Sequence, residues 1–277
     1  MKKKILLLVF GFAFLAAAIF IYHQSIQKGP LASVEKYKIY YDTPTPEIMK
    51  QLSKYQMVII EPVFYSAEQI SLIQENGTLV YGYVNSMEAD LWNKDLYSRF
   101  DDGDFYKRNG ERIYIEEWNS YLMDMKSSHF REVLLDETEK QIVQKGLDGV
   151  FLDTVGNIDD RFSEDRDERT AQQDGLILLL KQLQKKEVSI IQNWGLETVQ
   201  RTAPYIDGLM WENFEYKEIS SDDWSKEWME KTRHLSRKYR FSVLTVSDRN
   251  HKESSRLARE KGFIHFPAPE GYNYNQF

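Results

Sequence analysis

Acidic side chains close most of the apolar segments that the sequence predicts to be strands. In chain order, the polar residues at these ends are Asp42, Glu61, Glu88, Asp153, Asn193, Glu212, Asp248 and Glu270. Parallel strands end at one edge of a sheet, and in α/β folds that edge carries the chemistry. Paired carboxyl groups at such an edge are what glycoside hydrolysis needs, with one group as proton donor and the other as nucleophile or base. For Asp42, Glu61 and Asp248, an N-cap of the following helix is the alternative.

The segment from Gly149 to Thr154 is the clearest of these strands, because three apolar residues lead directly into Asp153. A short apolar run between glycines, here Gly149 and Gly156, is typical of a strand buried on both faces. The eight predicted strands cover residues 37–42, 57–62, 78–85, 147–153, 188–193, 206–212, 241–248 and 262–266. Helical segments separate most of them, so the pattern predicts an α/β fold, the (β/α)8 or TIM barrel.

Two stretches carry local signals of their own. Ser66 and Gln69 form a capping-box signature for a helix that ends near Asn76. Residues 89–128 break the alternating pattern and predict an insertion on the loop face, with a short strand at 112–116. The aspartates at 101, 102 and 104 lack the EF-hand spacing, so a solvated turn is favoured over a calcium loop.

The composition bears on which kinds of site the chain can hold. It contains no cysteine, so disulfides, thiolate metal sites, a cysteine nucleophile and a lipoprotein anchor are excluded. The histidines form no HxH or HExxH pattern, so a zinc site is weakly supported and no metal or other cofactor is expected. His265 is the only histidine predicted near the mouth, with a core or rim position as the alternative. GxSxG, Walker and GxGxxG motifs are absent.

The first 28 residues differ from the rest of the chain. Lysines at positions 2–4 precede an unbroken apolar run of 18 residues, Ile5–Tyr22. This pattern indicates either an uncleaved membrane anchor or a secretion signal with a cleavage site at residues 16–18. The positive-inside rule leaves the lysines in the cytoplasm. Residues 29–277 are then expected as one barrel domain that is tethered at the extracellular face or secreted.

The charge balance bears on possible partners. Without the three N-terminal lysines, 33 basic residues stand against 43 acidic ones, a net charge of −10. This balance argues against nucleic acid as a partner. It would favour a cationic ligand, although a solvated acidic surface is the commoner explanation. We expect a monomer.

Four segments of the chain resemble glycoside hydrolase family 114, the endo-α-1,4-polygalactosaminidases and related extracellular glycosidases. They read KGLDGVFLDTV, VSIIQNWG, IDGLMWENFE and LVYGYVNSMEAD, and GLDGVFLDTV is the most specific. The resemblance covers residues 36–275 and extends to the hydrolase domain of the Pel polysaccharide modification protein. It implies a barrel glycosidase whose partner and substrate is an α-1,4-linked galactosamine-containing exopolysaccharide.

The resemblance also assigns roles to individual residues. Asp153 matches the catalytic Asp of the fourth strand, and Glu212 matches the catalytic Glu of the sixth. The similar arrangement in barrel α-galactosidases implies that Asp153 is the nucleophile and Glu212 the acid/base. Asn193 matches the Asn that closes the fifth strand, although Trp194 follows it where a smaller or basic residue is common. Asp124 lies in a segment similar to the family's Trp-Leu-Asp.

Around this pair we expect a set of substrate-binding residues: Asp42, Glu61, Tyr83, Glu88, Asp124, Asn193, Trp194, Trp211, Asp248 and Tyr272. The aromatic members, with Tyr81 and Tyr274, are candidates for stacking on sugars, and core packing is the alternative for each. An acidic mouth with Asp42, Glu61 and Glu88 would suit the ammonium group of de-acetylated galactosamine. The sequence leaves two other functions open: hydrolysis of another cell-surface glycan, and a catalytically silent barrel that binds exopolysaccharide.

Overall fold

The computed structural model describes residues 29–277, and eight parallel strands form its central sheet. In chain order, the strands of the structure are β1 (Tyr37–Tyr40), β2 (Met57–Ile60), β3 (Leu79–Asn85), β4 (Glu88–Asp90), β5 (Lys107–Arg108), β6 (Glu111–Arg112), β7 (Tyr114–Ile115), β8 (Ser120–Leu122), β9 (Gly149–Asp153), β10 (Ser189–Asn193), β11 (Gly208–Trp211), β12 (Ser242–Ser247) and β13 (Ile264–Pro267). The large sheet has the order β1-β2-β3-β9-β10-β11-β12-β13, and β13 returns beside β1. The predicted TIM barrel is confirmed. The predicted signal or anchor segment, residues 1–28, lies outside the described residues.

Helices connect the barrel strands. They are α1 (Pro46–Leu52), α2 (Ala67–Gln74), α3 (Lys94–Tyr97), α4 (Ser128–Thr138), α5 (Gly156–Arg161), α6 (Arg166–Gln184), α7 (Val199–Thr202), α8 (Tyr216–Ile219), α9 (Asp223–Tyr239) and α10 (His251–Lys261). The capping box predicted for α2 is present, with Ser66 and Gln69 each bonding the other's backbone. None of these helices combines the length and apolar character needed to span a membrane.

Alternation along the strands decides which side chains face the barrel interior. On β9, β10 and β11 the interior residues are Phe151, Ile191 and Met210, which pack together in one buried cluster. Side chains two positions further along a strand point to the same face. Asp153 and Asn193 therefore continue the interior rows of β9 and β10, and Glu212 continues that of β11.

The segment predicted as an insertion forms two small antiparallel sheets. One has the strand order β4-β8-β7, and the other pairs β5 with β6. A strand predicted at residues 112–116 is divided in the structure, because β6 ends at Arg112 and β7 begins at Tyr114. Buried apolar residues of this segment, including Phe105, Ile115 and Leu122, join the cluster between the barrel and its helices. The segment is thus packed onto the domain rather than extended from it.

Candidate active site

Asp153, Asn193 and Glu212 meet at the carboxyl ends of β9, β10 and β11. The Asn193 amide nitrogen donates hydrogen bonds to both carboxyl groups, at 2.6 Å to Asp153 Oδ1 and 3.1 Å to Glu212 Oε1. The other atom of this amide, Asn193 Oδ1, is buried and has no protein partner among the described residues. One amide therefore holds both carboxyl groups, while its oxygen accepts no hydrogen bond from the described residues.

The shared donor limits how far apart the two carboxyl groups are. Because 2.6 Å and 3.1 Å add to 5.7 Å, the two bonded oxygens of Asp153 and Glu212 cannot be separated by more than about 5.7 Å. Retaining glycosidases have carboxyl groups about 5–5.5 Å apart, whereas inverting enzymes need about 6.5–9.5 Å to admit a water molecule. The two bonded oxygens are therefore closer together than the separation that inverting enzymes need.

Glu212 is held in an environment that favours its protonated form. Burial raises the pKa of the Glu212 carboxyl to about 7, and the nearby Asp153 charge adds to the rise. The amide of Asn193 and the hydroxyl of Tyr274 act in the opposite direction and lower this pKa. A carboxylic acid that titrates near neutrality can donate a proton and later accept one.

The backbone turns sharply directly after each of the three residues. Thr154, Trp194 and Asn213 follow Asp153, Asn193 and Glu212, and their φ angles are +63°, +57° and +54°. Left-handed backbone is costly for residues other than glycine, most of all for a β-branched or bulky one such as Thr154 or Trp194.

Hydrogen bonds and main-chain contacts hold these turns in place. The Thr154 hydroxyl donates to Asn85 Oδ1 at 2.6 Å, and the Trp194 amide donates to the Met210 carbonyl at 2.9 Å. Three consecutive barrel strands thus end in strained turns at one place, which is common where side chains are positioned for function.

An open cleft of about 680 Å³ extends from Asp153 and Asn193 across the β9, β10 and β11 loops. Asp153, Asn193 and Trp194 lie on its wall together with Asn157 and Asn213. Such a volume is in the range of ligand-binding clefts. The cleft combines amide and carboxylate groups with aromatic surface, which is the composition expected of a sugar groove.

Trp224 was not predicted from the sequence, yet it also lines this cleft. Its side chain is 47% exposed, and its ring lies 6.3 Å from that of Trp211. Trp224 stands in the first turn of α9, outside any strand end, so reasoning from strand ends could not identify it. The sequence signal that could have identified Trp224 is its place after Asp222 and Asp223 at the start of an amphipathic helix.

Several tyrosine rings contact one another near the carboxyl pair. Tyr83 contacts Tyr41 edge-on at 5.2 Å, and Tyr41 contacts Tyr274 at 5.9 Å. Burial and the nearby charge of Asp153 raise the pKa of Tyr83, so the phenol stays protonated as a donor. Tyr272 lies beside Tyr274 and donates its hydroxyl to Glu215. Tyr83 and Tyr272 therefore lie close to the pair, and their binding of substrate stays a prediction.

Trp211 and Asp42 do not face the mouth. Trp211 is 1% exposed and packs against Phe214 in the layer between barrel and helices. It precedes Glu212 on the strand, so alternation sends its side chain to the opposite face. Asp42 likewise follows the inward-facing Tyr41 and accepts a hydrogen bond from the Thr43 amide. The prediction that they bind substrate is not supported by their orientation.

Glu88, Asp124 and Asp248 are engaged in holding loops. Glu88 is 5% exposed and accepts hydrogen bonds from Ser120 and Asn157. The Asp124 carboxylate accepts bonds from the Lys126 amide and the Gln172 side chain. The Asp248 carboxylate accepts a bond from the Gly271 amide. These carboxylates therefore hold the loops around the mouth. The N-cap alternative was wrong for Asp248, because Asn250 is the N-cap of α10, and is confirmed for Glu61, which accepts from the Val63 amide.

The remaining candidates lie elsewhere. Tyr81 is fully buried in the barrel interior against Gly149, too deep to stack on a sugar. His265 bonds the hydroxyls of Thr245 and Ser247, and burial lowers its pKa to about 4, so it is a core histidine. Glu270 is exposed on the C-terminal segment. Glu61 lines a separate small cavity, described below.

Solved structures with the same fold include a glycoside hydrolase domain and a protein in complex with galactosamine. A variant of the glycoside hydrolase domain of PelA from Pseudomonas aeruginosa superposes with a TM-score of 0.68 and 18% identity, covering 88% of this chain and 98% of that one. Ega3 from Aspergillus fumigatus, in complex with galactosamine, gives 0.63 and 16%, with 88% and 93% covered. An α-galactosidase from Thermus thermophilus gives 0.56 and 12%, with 87% and 60% covered.

At these identities the structural similarity shows the fold alone. No curated protein matches the chain. The sequence model of glycoside-hydrolase family GH114, however, matches residues 27–240, which is most of the chain and includes both carboxyl groups of the site. The chain therefore belongs to glycoside-hydrolase family GH114 and is a glycosidase.

Proposed function

We propose that the protein cleaves an α-1,4-linked, galactosamine-containing polysaccharide, with Asp153 and Glu212 as its catalytic groups. The observation that carries the proposal is the single Asn193 amide that holds the two carboxyl groups within about 5.7 Å. Structurally similar proteins include one solved in complex with galactosamine, which directs the choice of sugar.

Glu212 is the proton donor in this proposal. Its pKa of about 7 leaves a substantial fraction protonated at neutral pH, so it can protonate the glycosidic oxygen as that bond breaks. The Asp153 carboxylate attacks the anomeric carbon and forms a glycosyl ester. Glu212, now deprotonated, takes a proton from water, and the resulting attack releases the sugar and regenerates Asp153.

Two displacements at the same carbon retain its configuration. The proposal therefore includes retention, in keeping with the carboxyl separation. The first-formed reducing ends from an α-linked polymer should carry the α configuration. Proton NMR spectra recorded within minutes of mixing, before the anomers equilibrate, measure this directly. β ends appearing first would refute retention without refuting the hydrolase.

The substrate is tested with the polymers themselves. The purified chain is incubated with partly de-N-acetylated α-1,4-galactosaminan and, in parallel, with chitosan, and products are identified by mass spectrometry. Oligosaccharides are expected from galactosaminan only. Asp153→Asn should abolish cleavage, and Glu212→Gln should reduce it by about 10²–10⁴-fold, the usual contribution of a general acid.

A matched control removes a carboxylate that lies away from the mouth. Glu75→Gln neutralises an exposed side chain at the end of α2, at the opposite edge of the barrel from the carboxyl ends of the strands. It should cleave as the unmodified chain does. Cleavage of chitosan alone would refute the proposed substrate, and full activity in Asp153→Asn would refute the proposed pair.

We propose further that the enzyme works on the outer side of the cytoplasmic membrane. The support is the run of 18 apolar residues after lysines 2–4, which suits an anchor or a secretion signal. Proteinase treatment of intact cells should degrade an anchored protein, and culture medium should contain a secreted one. Protection in intact cells, with none in the medium, would refute this location.

A further inference from the structure

A second cavity lies on the β2–β3 side of the mouth. Its wall includes Glu61, Tyr83, Asn85, Asp90 and Gln141. The volume is about 20 Å³, enough for one water molecule or a group of similar size. Trp92, Glu137 and Gln141 also line an adjoining cleft of about 380 Å³, which opens this side of the mouth to a longer ligand.

The polar atoms that border the cavity are mostly hydrogen-bond acceptors. Gln141 is 7% exposed, and its Oε1 atom is buried without a hydrogen-bond partner among the described residues. Glu61 is also 7% exposed, and the hydrogen bond that its carboxyl receives comes from the Val63 amide at a long 3.4 Å. Asp90 accepts one bond, from the Asn85 side chain at 3.0 Å. Glu61, Asp90 and Gln141 therefore bring to the cavity acceptor atoms that have few partners, beside the Tyr83 hydroxyl and the Asn85 amide as donors.

The nearby cations do not pair with Glu61 or Asp90, although Arg99 pairs with Glu137 of the cavity wall. Arg99 pairs with Glu137 at 3.0 Å, and the Lys145 ammonium donates to the Pro62 carbonyl at 2.7 Å. No Lys, Arg or His is among the residues that line the small cavity. Buried acceptors without donors are costly, and a ligand that brings several N–H groups and a positive charge would relieve that cost.

We propose that Glu61, Asp90 and Gln141, together called the amine pocket, bind the protonated amino group of a sugar unit next to the one being cleaved. An ammonium group has three donors and no acceptor, and the pocket offers three acceptor side chains. Tyr83 lines the pocket and also feels the charge of Asp153, so the pocket adjoins the catalytic pair. This inference rests on the proposed function and adds the residues that select a free amine.

The pocket also discriminates against acetylated sugars. An acetamido group offers a single N–H donor, brings a carbonyl oxygen toward the Glu61 and Asp90 carboxyl groups, and is larger than an ammonium group. A cavity of about 20 Å³ cannot admit it without opening. The wrong ligand leaves polar groups of the pocket without hydrogen-bond partners, and discrimination of this kind is generally strong.

Binding an amine should change the protonation of the pocket. Burial raises the pKa of Glu61 to about 8, with Asp90 and Glu137 adding to the rise, and the Val63 amide and Lys145 opposing it. Burial likewise raises the pKa of Asp90 to about 6. In the empty pocket Glu61 is therefore protonated at pH 6, and an arriving ammonium displaces that proton. If the pocket held only water and no amino group entered it, no proton would be released when the oligosaccharide binds.

Calorimetry on the catalytically disabled Asp153→Asn chain tests the proposal. The ligands are α-1,4-linked galactosamine oligosaccharides and their fully N-acetylated counterparts, at pH 6, where amines are already protonated. Repeating the titration in two buffers of different ionisation enthalpy counts the protons released. Adding Glu61→Gln should weaken binding of the amine oligosaccharide by about ten- to hundredfold, the worth of a charged hydrogen bond, and reduce proton release by about one.

Three comparisons decide the result. Binding of the acetylated oligosaccharide should be unchanged by Glu61→Gln, and Glu75→Gln should leave both ligands unaffected. Equal weakening of both ligands, or unchanged proton release, would overturn the amine pocket while leaving the hydrolase intact. Absence of binding by either oligosaccharide would overturn the pocket together with the proposed substrate. Cleavage assays on other α-linked glycans would then show separately whether Asp153 and Glu212 are catalytic.

Discussion

The pKa of Glu212 should fall when Asp153 is replaced by asparagine. Asp153 and Glu212 are linked through one amide, with oxygens no more than about 5.7 Å apart. At an effective dielectric constant of about 20, two unit charges at that distance repel by about 3 kcal/mol, equivalent to about 2 pKa units. Burial is the larger cause of the raised pKa and is retained in the variant. We therefore expect a fall of about one to two units from about 7.

Carbon-13 NMR of chain labelled at the glutamate carboxyl carbons measures this titration. Glu212→Gln identifies the resonance by its loss. As a control, Asp160→Asn removes another carboxylate at the cleft, one that does not act on the Glu212 pKa, and the titration should stay near 7. An unchanged Glu212 pKa in Asp153→Asn would show that burial alone sets it, and the electrostatic coupling argued for the pair would be refuted.

Three further predictions concern neighbouring side chains. Glu61→Gln should raise the free energy of unfolding at pH 8 by up to about 4 kcal/mol and leave it unchanged at pH 4. The reason is that a folded-state pKa of about 8, above the unfolded 4.5, makes the unmodified chain lose stability as pH rises between these values. Denaturant titration at pH 4 and at pH 8 measures the two free energies of unfolding. Tyr274→Phe should raise the pKa of Glu212, seen by the same NMR titration, since the hydroxyl lowers it. Trp224→Ala should raise KM for the polymer about fivefold with little change in Tm, because the 47% exposed ring lines the cleft; an unchanged KM would exclude stacking there.

The barrel was predictable because its strands are short apolar runs with glycines and helix caps between them. Alternation along the same strands also predicts which side chains share a face. It places Asp153, Asn193 and Glu212 in the interior rows, and it would have excluded Trp211 and Asp42, each one position out of step. For these residues the sequence is sufficient to predict which face of the strand the side chain occupies. Counting strand ends without this alternation predicted too many residues at the mouth.

Other parts of the site depend on contacts between distant segments. The Glu88 carboxylate is occupied by hydrogen bonds from Ser120 and Asn157, which lie 32 and 69 positions away in the sequence. No sequence pattern announces those partners. Gln141 entered no prediction, because a glutamine on a helix is ordinarily a solvated side chain. It lies in the π-helical turn Glu139–Val143 that follows α4, and its side chain is buried there.

The coupling of Asp153 and Glu212 bears on how one carboxyl group can serve in both halves of the reaction. Before the sugar is attacked, the charge of Asp153 and the surrounding burial keep Glu212 protonated, as the first step requires. Once Asp153 becomes an ester, it carries no charge, and the repulsion that raised the pKa of Glu212 is gone. The Asn193 amide then has Glu212 in place of Asp153 as its anionic partner and stabilises the Glu212 carboxylate. In the proposed mechanism, the acid thus becomes the base that the second step needs, because the first step has removed its neighbour's charge.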